Sequence, residues 1–296
     1  MKHLFIVNPV AGKGKSAKII PQIKLLMEKN SLPYKIEITK APKHAPEIAA
    51  SYIHKFPNIR IYAVGGDGTL NEVLQGVAGS NASLGVVPTG TGNDFLKTFC
   101  SQTDPYKLLP SLIQAQAAPV DMCKMNDRYF LNIASAGFDA DVVANTQYLK
   151  KLPYMKGKFA YIGGILLSLI RLKNVSATFY LDDEKIEMPS MLLSIFANGK
   201  YYGGGMLPAP DAKPDDGYLD VCIIRGLKRL KILRFFPRLI KGTHINMSEV
   251  TFRRCRTITM ESPDLVHINA DGELFESHAL SITLIQKGLM FIKPVP

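Results

Sequence analysis

Cysteine is scarce and poorly spaced for chemistry. Cys100, Cys123, Cys222 and Cys255 form no CxxC pair and no zinc spacing, which excludes a disulfide framework and a structural zinc. The expectation is reduced, mostly buried thiols in a cytoplasmic protein. Long apolar runs are also missing. Leu4–Val7, preceded by Lys2, could pass for the start of a signal peptide, but Asn8-Pro9 cuts it short. The longest later stretch, Phe159–Ile170, contains two glycines and falls well below the roughly 20 residues that cross a bilayer, so no transmembrane segment is expected. Internal repeats and low-complexity linkers are absent, which leaves a change of pattern as the only guide to a domain boundary.

Acidic residues are in deficit, 25 against 36 basic ones, for a formal charge of +11. That balance favours an anionic partner: nucleic acid, a phosphorylated substrate or a negatively charged membrane surface. Arg225–Arg256 holds ten basic residues and one acid, Glu249. It lacks aromatics arranged for base stacking, which argues against nucleic acid. Within it Leu230, Leu233, Phe236 and Ile240 share one helical face, and Lys231, Arg234, Arg238 and Lys241 the other. Such a helix either rests on an anionic membrane or packs on a sheet with its charges in water. Pro237 marks a point where it can break.

The chain is organised around Val64-Gly65-Gly66-Asp67-Gly68-Thr69-Leu70-Asn71-Glu72-Val73. The β-branched run Ile59–Val64 predicts a buried strand, and apolar spacing after the glycines predicts a helix. Glycines let backbone approach a ligand closely, and a helix start offers free N–H groups to an anion. Asp67 in the middle of an anion site makes sense if a cation such as Mg²⁺ lies between it and a polyphosphate. The plainer reading is a tight turn with Asp67 as a helix cap.

Before this joint, Leu4–Val7 predicts a first strand, and Asn8–Lys15 a turn into a helix carrying Ile19, Ile23 and Met27. Pro9 stands where a Walker A loop needs glycine, which excludes a P-loop at Gly14-Lys15-Ser16. A dinucleotide fingerprint fits only loosely, through Gly12, Gly14, Ala17 and Glu37. Tyr34–Thr39 predicts a strand, Pro46–Ile53 a helix, and Leu84–Val87 a strand leading into Pro88–Phe95. Alternation of this kind predicts a parallel α/β sheet with ligand loops at the carboxyl ends of its strands. Lys13 and Lys15, beside the first turn, are candidates to neutralise phosphate charge.

From about residue 120 the pattern becomes mainly antiparallel, a sandwich or flattened barrel. Val120–Lys124 and Arg128–Ile133, joined through Asn126-Asp127, predict a hairpin. Further strands are expected at Val175–Leu181, Met191–Ala197, Leu219–Ile224, Thr257–Met260, Leu265–Asn269 and Leu280–Ile285. The division expected is 1–120 and 121–286, with a tail of about 287–296 returning to the first domain.

In order and spacing, Asn8-Pro9-x-x-Gly12, Gly65–Glu72, Gly90–Phe95, Gly203-Gly204-Gly205, Asp215-Asp216-Gly217 and Asp271-Gly272-Glu273 resemble the bacterial diacylglycerol-kinase-like lipid kinases. These are relatives of eukaryotic diacylglycerol, sphingosine and ceramide kinase catalytic domains. The resemblance implies an NAD-kinase/phosphofructokinase-like first domain, a β-sandwich second domain, and ATP in the cleft between them. It implies ATP contacts at Asn8, Pro9, Val10, Ala11, Gly12, Thr39, Gly66, Asp67, Gly68, Thr69, Leu70, Asn71, Glu72 and Thr91. Asp67, Asp94 and Asp121 would organise Mg²⁺ and its water shell. Asp216, with the carbonyls of Lys213 and Tyr218, would hold a structural cation. Asp271 and Glu273 would serve as the catalytic base and its partner; read alone, Asp271-Gly272 is equally an exposed hairpin turn. Ala11 departs from the usual Ser or Thr, which removes one hydroxyl contact.

The expected function is phosphate transfer from ATP to a lipid hydroxyl, of diacylglycerol or a related lipid, by a peripheral protein on the cytoplasmic face of a membrane. Phe159–Leu172 and the loop Tyr202–Met206 are the candidates for the acceptor pocket. The competing readings are an NAD kinase, which shares GGDGT, and a non-enzymatic anion- or nucleic-acid-binding protein. A homodimer stays open.

Overall fold

The computed structural model describes residues 3–152, 154 and 158–294. Four parallel strands, β1 (His3–Val7), β2 (Tyr34–Ile38), β3 (Arg60–Gly65) and β4 (Ser83–Pro88), lie in the order β2-β1-β3-β4. β1 is buried along its whole length, and β3 and β4 from their second residue on, as expected for a parallel sheet covered on both faces. The covering helices are α1 (Lys15–Lys18), α2 (Ile20–Lys29), α3 (His44–Lys55), α4 (Asp67–Val77), α5 (Asp94–Lys97) and α6 (Pro105–Gln114). α2 buries Ile23 and Met27, and its Pro21 occupies the first turn, where the missing N–H costs nothing.

The second lobe is mainly antiparallel. It comprises β5 (Ala117–Met125), β6 (Arg128–Phe130), β7 (Ile133–Gly137), α7 (Phe138–Lys150), α8 (Lys158–Ile170), β8 (Val175–Leu181), β9 (Glu184–Ala197), β10 (Leu219–Arg225), α9 (Arg229–Lys241), β11 (Val250–Cys255), β12 (Thr257–Ala270) and β13 (Glu273–Ile292). β5 and β6 form the hairpin expected at Asn126-Asp127, with Met125 opposite Arg128. One apolar cluster centres on Phe179, Phe196 and Ile268, and another, on the helical side, on Ile195, Phe235 and Leu239.

The expected strands at Thr257–Met260 and Leu265–Asn269 are one strand. Pro263 falls where the register against β13 slips, between Glu261 and Val266; a bulge absorbs a residue that cannot donate to the ladder. Leu280–Ile285 is likewise only the middle of β13. This strand pairs with β12, then β5, and at Met290 and Phe291 runs parallel to Ser83 and Leu84 of β4. Both lobes therefore share one sheet, ordered β11-β10-β9-β7-β12-β13-β4-β3-β1-β2. Phe291 is fully buried against Phe95 and Phe99 of the first lobe.

The residues implied to hold a structural cation lie together at one turn. Asp216 accepts the Tyr218 N–H at 3.1 Å and pairs through its other oxygen with Arg254, while the Lys213 carbonyl accepts the Asp216 N–H at 3.4 Å. Arg254 also reaches the buried Asp220 at 3.4 Å and lies 4.9 Å from the Tyr218 ring centroid. No three His, Cys, Asp or Glu side chains gather as metal ligands among the described residues. A guanidinium lies against Asp216 in this arrangement.

Two stability outcomes follow. Phe291→Ala should cost about 3–5 kcal/mol in denaturant unfolding, because it empties a packed aromatic site at the junction of the lobes. Arg254→Met should cost about 1–3 kcal/mol by leaving Asp220 buried without its partner.

Candidate active site

Three loops leave the carboxyl ends of β1, β3 and β4 on one rim, the usual ligand side of a parallel α/β sheet. They fit together because they are glycine-rich. Gly12 has φ of +57°, and a Cβ there would lie 1.8 Å from the Thr89 carbonyl oxygen; a Cβ on Gly90 would lie 2.4 Å from the Gly66 Cα. No other residue permits that approach. Asn8 secures the first loop by donating from Nδ2 to Thr69 Oγ1 at 3.2 Å.

Asp67 opens α4 and reaches across to the next turn. Its oxygens accept the N–H groups of Asp94 at 2.9 Å and Phe95 at 3.3 Å. Asp94 accepts from Lys97 Nζ at 2.7 Å and from the Gly204 N–H of the second lobe at 2.7 Å. Burial pushes the Asp67 carboxyl up to about 6; the charges of Asp94 and Asp271 add to the rise, and the two N–H donors oppose it.

The second lobe contributes the turn between β12 and β13. Ala270 pairs with Glu273 around Asp271-Gly272, with φ of +47° and +94°, as a two-residue hairpin with the expected Asp-Gly pair. The turn is not an exposed one. Asp271 Oδ2 accepts the N–H groups of Leu131 at 2.9 Å and Asn132 at 3.3 Å and the Asn71 amide at 3.4 Å, while Oδ1 accepts the Ile133 N–H at 3.0 Å. Burial raises the Asp271 carboxyl above the usual range despite these donors. Glu273 is half-exposed and lies 3.6 Å from Arg128.

These turns enclose a cleft of about 690 Å³. Of the residues the resemblance singles out, Asn8, Ala11, Gly12, Gly66, Asp67, Gly68, Thr69, Glu72, Thr91, Asp94, Asp271 and Glu273 line it. Pro9, Val10, Thr39, Leu70 and Asn71 are off its wall: Thr39 donates its N–H to the Val7 carbonyl, Leu70 is in the core, and Asn71 binds Asp271. Asp121 stands apart from the others. It is fully buried outside the cleft, where its oxygens accept the N–H groups of Gly217 at 2.7 Å and Lys287 at 2.8 Å, so its carboxylate holds two loops. Lys13 and Lys15 also lie off the wall; Lys150 is on it, and Lys97 reaches it through Asp94.

Val142, Val143, Tyr161, Tyr202, Met206 and Phe236 of the second lobe also line the cleft, with Asp139 and Lys150 on the same wall. The Tyr202–Met206 loop lies there as expected, but most of Phe159–Leu172 does not: Phe159, Ile162, Leu166 and Ile170 face solvent. Sequence reasoning missed Asp139. It follows Gly137-Phe138 at the start of α7, lines the cleft, and is pushed up to about 7 by burial. Neither of its oxygens makes a hydrogen bond of ordinary geometry. The available signal was a third strand–glycine–helix joint carrying an acid.

The carboxylates also bear on a cation. Asp67 is buried beside the charges of Asp94 and Asp271, and an anionic polyphosphate entering this end would meet like charge. No three such side chains converge as direct ligands among the described residues. An ion held through water and phosphate oxygens, with one or two carboxylates, fits this donor set.

Two family profiles match the chain: the diacylglycerol kinase catalytic domain over residues 2–125, and the YegS C-terminal NAD kinase beta sandwich-like domain over residues 132–292. A diacylglycerol kinase from Mycobacterium tuberculosis (strain ATCC 25618 / H37Rv) is 27% identical, covering 98% of this chain and 94% of its own. A diacylglycerol kinase from Staphylococcus saprophyticus subsp. saprophyticus is 31% identical, covering 90% of this chain and 87% of its own. A solved chain from Bacillus anthracis str. Sterne superposes with a TM-score of 0.78 at 25% identity, covering 99% of this chain and 96% of its own. The glycine turns, the acid-bearing hairpin and these likenesses agree: the chain belongs to the diacylglycerol kinase catalytic-domain family and is an ATP-using lipid kinase.

Proposed function

We propose that the protein transfers the γ-phosphate of ATP to the hydroxyl of diacylglycerol or a closely similar lipid, with Mg²⁺, on the cytoplasmic side of a membrane, where ATP is available. One observation carries this reading. Asp67, Asp94 and Asp271 come together in a cleft whose wall also carries Val142, Val143, Tyr161, Tyr202, Met206 and Phe236, so a charged donor and an alkyl acceptor find matching side chains in the same space. Relatives named diacylglycerol kinase support the choice of acceptor.

Asn8, Gly12 and the Gly66–Thr69 turn cradle the triphosphate with backbone N–H groups at the head of α4. Asp67 and Asp94 would hold a Mg²⁺ ion through its water shell, and the ion would supply neutralisation of the developing phosphate charge. Asp271 is the base. Four donors fix its carboxylate, Oδ1 carries only the Ile133 N–H, and burial makes it more basic than an exposed aspartate. It orients the acceptor hydroxyl and takes its proton as the oxygen attacks. Glu273, balanced by Arg128, helps orient the acceptor.

Incubating the protein with ATP, Mg²⁺ and diacylglycerol should give a product heavier by one phosphate, with NAD left unchanged; phosphorylated NAD and unchanged lipid would overturn the assignment. Asp271→Asn should lower kcat by about 10²–10⁴, and Glu273→Gln by clearly less. The reverse order would move the base to Glu273.

The Asp67 shift gives a pH signature. Its folded-state value, about 6, is above the unfolded one. This group therefore adds stability to the ligand-free protein below about pH 4, and that contribution is lost as pH rises through 6. Binding needs the ionised form. At pH 5 only about one tenth of Asp67 is ionised, so Mg-ATP affinity, followed by calorimetry, should fall about tenfold from its value at pH 7. Raising Mg²⁺ should move the inflection downward. Asp67→Asn should bind weakly with no inflection there.

A further inference from the structure

We infer that His267 is a positioning residue: its ring clamps the cleft wall formed by α7 to the hairpin that carries Asp271 and Glu273. That this wall meets the acceptor lipid rests on the lipid-kinase reading above; the clamp itself does not.

Three elements meet at the ring. His267 stands on β12, with Nδ1 2.6 Å from Asp141 Oδ1 of α7 and Nε2 2.8 Å from Glu276 Oε1 of β13. A neutral imidazole has one N–H and serves only one of these carboxylates. With an anion at each end the ring carries both protons, donates twice and holds a positive charge between two negative ones. Burial raises the Asp141 carboxyl above the ordinary range, and the hydrogen bond and charge of His267 oppose that rise. The ring is rigid and its two N–H groups point to different sides, so neither carboxylate can shift without bending or losing its bond.

Position gives the clamp its purpose. His267 faces Glu276 directly across the β12–β13 ladder, which runs on through Asn269 and Leu274 to the Asp271-Gly272 turn. Four residues separate His267 from Asp271, about 13 Å of strand. Asn269 lies between them on the same face of β12 as His267, and it lines the cleft. On the other side of the ring, Asp141 has Asp139, Val142 and Val143 as neighbours along α7, all three on the cleft wall. His267, Asp141 and Glu276 do not line the cleft, so the ring acts on a ligand through the residues it aligns.

This end of α7 has few other ties of its own. The helix starts from Gly137 with no side chain capping its first turn, and the Asp139 carboxyl makes no hydrogen bond of ordinary geometry. Asp271, by contrast, is held by Leu131, Asn132, Ile133 and Asn71. Loss of the clamp therefore moves the α7 wall more than the base, and its cost falls on lipid binding before catalysis.

The test uses the full chain as wild type, His267→Gln, His267→Arg, Asp141→Asn and the double variant His267→Gln with Asp141→Asn. Calorimetry gives the Kd of a short-chain diacylglycerol in detergent micelles and, separately, of Mg-ATP; phosphate transfer gives kcat and KM. His267→Gln should raise the lipid Kd and KM about three- to tenfold, the scale of two partly exposed charge pairs, with Mg-ATP affinity unchanged and a smaller effect on kcat. His267→Arg should recover most of the loss, because a guanidinium fork can donate to both carboxylates. Asp141→Asn should match His267→Gln, and the double variant should lose no more than either single one. A wild-type lipid Kd in His267→Gln overturns the proposal. So does a loss shared equally by lipid and Mg-ATP, an arginine variant as weak as the glutamine one, or single losses that multiply in the double variant. Should His267→Gln fail to fold, the arginine and Asp141→Asn variants decide by the same readings. Lipid binding by wild type without phosphate transfer would instead overturn the kinase reading alone, and no lipid binding by wild type would overturn both.

Discussion

The cleft depends on one buried carboxylate held by both lobes. Asp271 sits at the tip of a second-lobe hairpin, takes three consecutive backbone N–H groups from Leu131, Asn132 and Ile133, and receives the Asn71 amide from the first lobe. A charge moved out of water is tolerated only when such donors replace its hydration. The same bonds fix the angle of the hairpin, hence the direction of Glu273 and the width of the cleft. A second bridge repeats the device: Asp94 of the first lobe accepts the Gly204 N–H of the second. Together with β13, which runs through both lobes, these contacts set the two halves of the cleft at a defined spacing.

The carboxylates near the donor end are therefore unequal. Asp67 is buried with two backbone donors and two neighbouring charges, and rises to about 6. Asp121 belongs to the same sequence pattern but serves as a clamp for Gly217 and Lys287. Asp216 pairs with Arg254. Like-looking acids thus divide into a ligand-facing set and a structural set according to which N–H groups surround them.

The amphipathic segment in the basic stretch shows how a one-dimensional pattern can be right and incomplete. Two readings of 227–241 competed, a membrane face or a helix packed on the sheet, and the helix has room for both. A third stripe, Ile232, Phe235 and Leu239, does the packing, and the more conspicuous leucines remain outside. No helix among the described residues is long and apolar enough to span a bilayer.

Strand–glycine–helix joints, hydrophobic periodicity and the Asp-Gly pair are local, and they were legible before any coordinates. Gly65–Glu72, Gly90–Phe95 and Asp271–Glu273 announced the glycine turns, the acids they carry and the two-lobe plan, because turn chemistry and buried strands are written in neighbouring residues. What lay beyond neighbours was not legible. The merging of two predicted strands into β12 needed a bulge at Pro263, and the role of Asp121 needed loops 96 and 166 residues away. The cleft-facing place of Asp139 depended on packing of α7 against the second lobe. Burial and hydrogen-bond partners arise from long-range folding, and they decided which of the marked residues could meet a ligand.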